Sequence, residues 1–131
     1  MSRTTNQEID NETWTNISFD TEDRDDAGFA DLGTDATKIT IPTGYGGTFR
    51  VNVYWNFEAN ATGQRQVKVY LNGGATNLVT EAHAAHALGF ACTTTGEGGL
   101  SATNYIQVAV WQNSGGALDL TPSYVNVKMD R

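Results

Sequence analysis

Two histidines and a carboxylate stand close together in this sequence: Glu81, His83 and His86. On a helix the two histidines would share a face and could ligate zinc beside Glu81. On a strand an odd offset sends them to opposite faces. His86 falls in phase with Leu88, Phe90 and Cys92, so it is expected as a core or near-axis histidine making one hydrogen bond rather than as a ligand. Cys92 is the single cysteine of the chain, which rules out an intrachain disulfide. With no nucleophile constellation readable around it, Cys92 is expected as a small buried hydrophobe. The acids Asp20, Glu22, Asp23, Asp25, Asp26 and Asp31 offer oxygen atoms of the kind Ca²⁺ takes, but their spacing misses the Asp-x-Asp-x-Asp-Gly loop. They are expected as a solvated acidic loop, with no metal. No Gly-x-Ser-x-Gly, Walker loop or zinc signature occurs. A glycosidase needs two carboxylates held across a cleft, and the only dense ones here fall in one loop. The expectation is a protein that is not an enzyme and carries no cofactor.

The elements that must position these residues are strands. The 131 residues make one domain, large enough for a core without staples. Eighteen Thr, 14 Gly and 11 Asn against three Lys and six Glu favour strands and turns over helices. Strict alternation places Phe49, Val51, Val53, Trp55 and Phe57 inward and Arg50, Asn52, Tyr54 and Asn56 outward. Val67, Val69 and Leu71 repeat the pattern against Gln66, Lys68 and Tyr70. Ile106, Val108 and Val110 oppose Gln107, Ala109 and Trp111, and Val125, Val127 and Met129 oppose Asn126 and Lys128. Shorter strands are expected at Trp14 to Phe19 and Lys38 to Ile41. Thr80 to Thr95 is ambiguous between a short Ala-rich helix capped by Thr80 and a strand over its second half, and the strand is preferred. Seven or eight strands with Gly-rich turns predict an all-β fold, an antiparallel β-sandwich or jelly roll of about eight strands.

The run IPTGYGGTFRVNVYWNFEANATGQRQVKVYLNGG resembles the middle of the jelly roll shared by complement globular heads and tumour necrosis factor. WTNISFDTEDRDDAGF resembles that family's first strand and aspartate-bearing loop, LSATNYIQVAVWQNSGG its penultimate strand, and SYVNVKMDR its closing strand. The resemblance spans Trp14 to Arg131, and its wording is most similar to bacteriophage virion versions, those of capsid decoration and head fibre. One departure stands out: Thr103 and Asn104 occupy the place of the family's Gly-Asp, which bears on turn geometry. The resemblance implies a homotrimer that acts by binding.

Charge narrows the partners. Fifteen acids against eight bases give −7, which works against nucleic acid and membrane as partners. No apolar run approaches a spanning helix, and no signal peptide is readable, so folding in a host cytoplasm is expected. From Glu8 to Asp35 there are ten acids and one base, Arg24. Tyr54, Tyr70, Tyr105 and Trp111 lie on outward phases and are expected to form the trimer interface, with a sugar-stacking platform as the competing use. Sequons at Asn11, Asn16 and Asn60 carry little meaning without a secretion signal.

Taken as complete from Met1 to Arg131, the chain is expected to have a flexible polar arm over residues 1–11, a jelly-roll domain over 12–131 and no shaft. Ser2, Arg3, Thr4, Thr5, Asn6 and Gln7 are then expected to attach to a major capsid protein, and deleting Ser2 to Asp10 to leave the fold intact. The functional expectation is a virion structural protein, a trimeric decoration protein on an assembled phage head. The alternative is a receptor- or carbohydrate-binding adhesion module.

Overall fold

The alternating runs around Phe49–Phe57, Val67–Leu71, Ile106–Val110 and Val125–Met129 become strands in the computed structural model, which describes residues 1–22, 28–30, 32–74 and 76–130. In chain order the strands are β1 (Ser2–Arg3), β2 (Gln7–Ile9), β3 (Thr15–Asn16), β4 (Ile39–Thr40), β5 (Gly47–Phe57), β6 (Asn60–Leu71), β7 (Thr76–His86), β8 (Phe90–Leu100), β9 (Tyr105–Gln112) and β10 (Leu118–Asp130). They form two five-stranded antiparallel sheets. One runs β1-β10-β5-β8 with β2 also on β10; the other runs β3-β9-β6-β7 with β4 also on β9. The protein is an all-β sandwich of jelly-roll type.

The core lies between the sheets. Phe49, Val51, Val53, Trp55 and Phe57 of β5 meet Val67 and Val69 of β6 and Ile106, Val108 and Val110 of β9, all buried. Arg65 follows the same inward phase and is fully buried. Its guanidinium donates to the carbonyls of Asn60, Thr62 and Gln64, each at 3.0 Å, which satisfies most of the buried cation's donors without a carboxylate. Burial pushes its pKa below the ordinary arginine value.

Three expectations are corrected. The strand preferred over the second half of 80–95 is present as β8 from Phe90, but the first half is a strand as well, and a turn at 87–89 separates β7 from β8 and resets the alternation. His86 is consequently exposed and Leu88 is 88% exposed, while His83 points inward. Residues 1–11, expected as a free arm, are tied into the sandwich: β1 pairs with β10 through Ser2 and Arg3, β2 through Gln7 to Ile9, and Ile9 is buried. The closing strand starts at Leu118, well before Val125. Its register shifts between Thr121 and Tyr124, where Pro122 can donate nothing to a ladder. Such a bulge re-aims the side chains beside it.

Candidate functional site

The outer face of the β10-β5-β8 sheet is built in rows by the pairing register. Tyr124, Tyr54 and Thr93 form one row; Asn126, Asn52 and Thr95 the next; Lys128, Arg50 and Glu97 the last. On the other side of the tyrosines stand Thr121, Asn56 and Ala91. The bulge delivers Tyr124 next to Tyr54, and the two rings stack with centroids 5.1 Å apart and planes 27° from parallel. Tyr124 is 48% exposed. Polar groups around the stack are held in place: Thr95 Oγ1 donates to Asn52 Oδ1 at 2.7 Å, and Asn56 Nδ2 to the Pro122 carbonyl at 2.7 Å. Arg50 and Glu97 close the end with an ion pair at 2.7 Å. The result is a sheet face with an aromatic centre, amides and hydroxyls around it, and the Arg50–Glu97 ion pair with Lys128 at one end.

Of the four aromatics expected at one interface, only Tyr54 lies here. Tyr70, Tyr105 and Trp111 are on β6 and β9 and face outward from the opposite sheet. Tyr70 is buried, its hydroxyl donating to Asn16 Oδ1. Lys38 sits 4.4 Å over the Tyr105 ring, and Trp111 is half-buried. No single patch contains all four.

The segment Ser2 to Gln7 is a structured edge. Arg3 donates to the carbonyls of Thr5, Asn6 and Ser18, and Gln7 bonds Asn16 and Ser18 from both ends of its amide. Asp20 accepts from the Thr4 amide and hydroxyl and from the Thr5 and Thr21 hydroxyls. Asp23, Asp25, Asp26 and Asp31 lie outside the described residues.

A second cluster forms where β7 and β8 approach each other as the last strands of their two sheets. Glu81 and His83 project inward from β7, Cys92 and Thr94 from β8. Gly96 allows the approach, since a Cβ there would stand 2.9 Å from Val79 Cγ1. His83 Nε2 is 3.0 Å from Glu81 Oε2 and 3.5 Å from Cys92 Sγ, and Cys92 Sγ is 4.0 Å from the same Glu81 oxygen. Trp55 Nε1 donates to Thr94 Oγ1 at 3.0 Å, and Thr94 Oγ1 donates to Glu81 Oε2 at 2.7 Å. The hydrogen bonds from His83 and then Thr94 hold Glu81 below the usual carboxylate range. Burial pushes the Cys92 thiol up, and the Glu81 charge adds to that.

The geometry differs from the relay that orients the base of a cysteine nucleophile. A relay needs one ring nitrogen on the sulfur and the other on the carboxylate, whereas His83 presents Nε2 to both. The sequence pairing of His83 with His86 missed the cluster, because the third group comes from the next strand.

No family model and no curated protein matches the chain. Among solved structures it is similar to a carbohydrate-binding module from Cellvibrio mixtus lichenase 5A in complex with cellotriose, at 21% identity over 93% of this chain and 75% of that one, with a TM-score of 0.45. It is also similar to an exo-beta-1,3-galactanase from Phanerochaete chrysosporium with galactose, at 19% identity over 96% of this chain and 29% of that one, with a TM-score of 0.40. Both likenesses are distant.

Proposed function

We propose that this chain is a non-catalytic binding module and that the plate centred on Tyr54 and Tyr124 takes a glycan. The observation that carries this is the tyrosine stack, Tyr124 exposed and Tyr54 half-buried, within rows of amides and hydroxyls. A sugar ring has an apolar face of C–H groups and a rim of hydroxyls. The first covers an aromatic ring, and the second exchanges hydrogen bonds with Asn and Thr side chains. Around the tyrosines the neighbouring side chains are uncharged, which suits a neutral chain better than a charged one. Screening immobilised neutral oligosaccharides, followed by calorimetry on the best of them, tests the proposal. Tyr124→Ala should weaken binding about tenfold, the loss of roughly 1.4 kcal/mol of ring contact, without lowering the melting temperature. Binding unchanged by that substitution, or no neutral glycan bound at all, removes the proposal.

A second reading keeps the same plate but covers it with another copy of the chain. Tyr54 is one of the outward aromatics expected at a trimer interface, and its stacking partner Tyr124 is exposed in the single chain. A homotrimer decorating a phage head would then bury these rings and bind the major capsid protein through the folded edge Ser2 to Gln7. Sedimentation discriminates the two: a trimer that Tyr124→Ala dissociates favours this reading, and a monomer that binds glycan favours the first.

A further inference from the structure

We propose that Glu81, His83 and Cys92 form a three-ligand site for one zinc-class divalent cation, bridging the two sheets where β7 faces β8. Placement begins with strand periodicity. Residues two apart share a face, so Glu81 and His83 both point inward from β7, and Cys92 points back at them from β8. Among the described residues these are the grouped His, Cys, Asp or Glu side chains whose ligand atoms converge, all within 4.8 Å of one another.

The separations match a metal. Zinc bonds of about 2.0–2.1 Å to nitrogen or oxygen and about 2.3 Å to sulfur, at tetrahedral angles, put ligand atoms about 3.3–3.6 Å apart. Here the three edges are 3.0, 3.5 and 4.0 Å. A cation at the centre requires shifts of a few tenths of an ångström. The donor set of thiolate, imidazole and carboxylate is one that zinc accepts and that Ca²⁺ and Mg²⁺ do not favour. Without a cation, one Nε2 position must serve both a carboxylate and a sulfur. A cation satisfies all three at once, and the Cys92 thiol proton leaves to solvent on ligation.

The surroundings hold the ligands. The Trp55 to Thr94 to Glu81 chain of hydrogen bonds fixes the carboxylate from behind, the arrangement that orients ligands in metal sites. The His83 ring packs 6.1 Å from Trp55 and 5.6 Å from Phe90, centroid to centroid. The Glu81 and His83 side chains are about 40% exposed, so a fourth position opens to solvent. Among the described residues β7 and β8 share no ladder of their own, and a cation would clasp the sandwich on its open side.

Co²⁺ is the probe, because a thiolate ligand gives it a near-ultraviolet sulfur-to-cobalt absorption and four-coordination gives intense visible bands. The expected result on the full chain is one equivalent bound, displaced by Zn²⁺, with both features present. Cys92→Ser should abolish the sulfur band, His83→Ala should abolish stoichiometric binding, and Thr94→Val should weaken Zn²⁺ about 10- to 100-fold. His86→Ala, exposed on the same strand, should change nothing. Absence of the sulfur band in the unaltered chain overturns the proposal whatever the variants do. Equal binding by His83→Ala overturns it too, because the cation would then sit elsewhere. Neither readout involves the tyrosine plate, so the glycan proposal stands or falls separately.

Discussion

Asp20 shows what one side chain gains from its setting. Burial is the largest single influence on its carboxyl and acts upward, yet hydrogen bonds led by the Thr4 amide, then the Thr4 and Thr21 hydroxyls, bring it from an ordinary 3.8 to about 2. A carboxylate depressed in the folded state contributes stability that is whole above its unfolded value and is lost as pH falls toward the folded one. The window is therefore about pH 4 down to pH 2. Asp20→Asn should flatten the acid limb of stability in that window, measured by urea unfolding at stepped pH, and leave the slope above pH 5 unchanged. An equally steep limb in the variant would assign acid sensitivity to other carboxylates. From sequence alone Asp20 is one of a run of acids. Its partners Thr4 and Thr5 are far enough away in the chain that only the folded edge brings them to it. Arg65 was equally hidden: its phase with Val67 and Val69 is readable, but the carbonyls that make an inward arginine tolerable are not.

At the scale of elements, Thr103 occupies the turn before β9 with φ at +72°, a left-handed conformation that a β-branched residue rarely adopts. The turn holds it there: Thr103 N donates to the Ile41 carbonyl at 2.8 Å, and Asn104 Oδ1 accepts from Ser101 N at 2.8 Å. Glycine meets no Cβ penalty at such a position, so Thr103→Gly should raise stability by about 1 kcal/mol, read as a shifted urea midpoint at constant slope. A lower midpoint would mean that the threonine side chain contributes more than its backbone costs. Thr103 and Asn104 are the positions where the sequence departs from the jelly-roll resemblance, and Thr103 carries the backbone strain there. The strands with strict alternation, β5, β6 and β9, were legible because period-2 burial writes itself into the residues. The β7 to β8 turn was not, since His86, Leu88, Phe90 and Cys92 keep a two-residue rhythm straight through it. The glycine-rich end of β8 was also silent: Gly96 and Gly98 sit on inward positions where the side chains of Val79 and Leu78 press against the backbone, so no apolar residue marks the strand. The tyrosine plate was half legible, with Tyr54 readable and Tyr124 dependent on a bulge.

For the molecule as a whole, the consequential difference lies at β10. With β5 on one side and β1 and β2 on the other, β10 is an interior strand over much of its length, and the first nine residues make it so. Ile9 is fully buried beside Leu118, its partner in register. The Gln112 side chain reaches across to donate to the Ile9 carbonyl at 2.9 Å, and Val125 N donates to the Met1 carbonyl at 2.9 Å. Removing Ser2 to Asp10 therefore strips a covering from Leu118 and Leu120 and leaves β10 as a bare edge. Loss of the Ile9 side chain alone is worth about 2–5 kcal/mol. The exposed edge would offer unpaired backbone groups to a second chain. The deletion variant should melt well below the full chain and elute from a sizing column with self-associated species, while Ile9→Ala should lower the melting temperature without the association, because it keeps the β2 ladder. A deletion variant that melts like the full chain and stays the same size would make the N-terminal pairing energetically neutral. Residues 2–7 would then again be free to serve as an attachment arm.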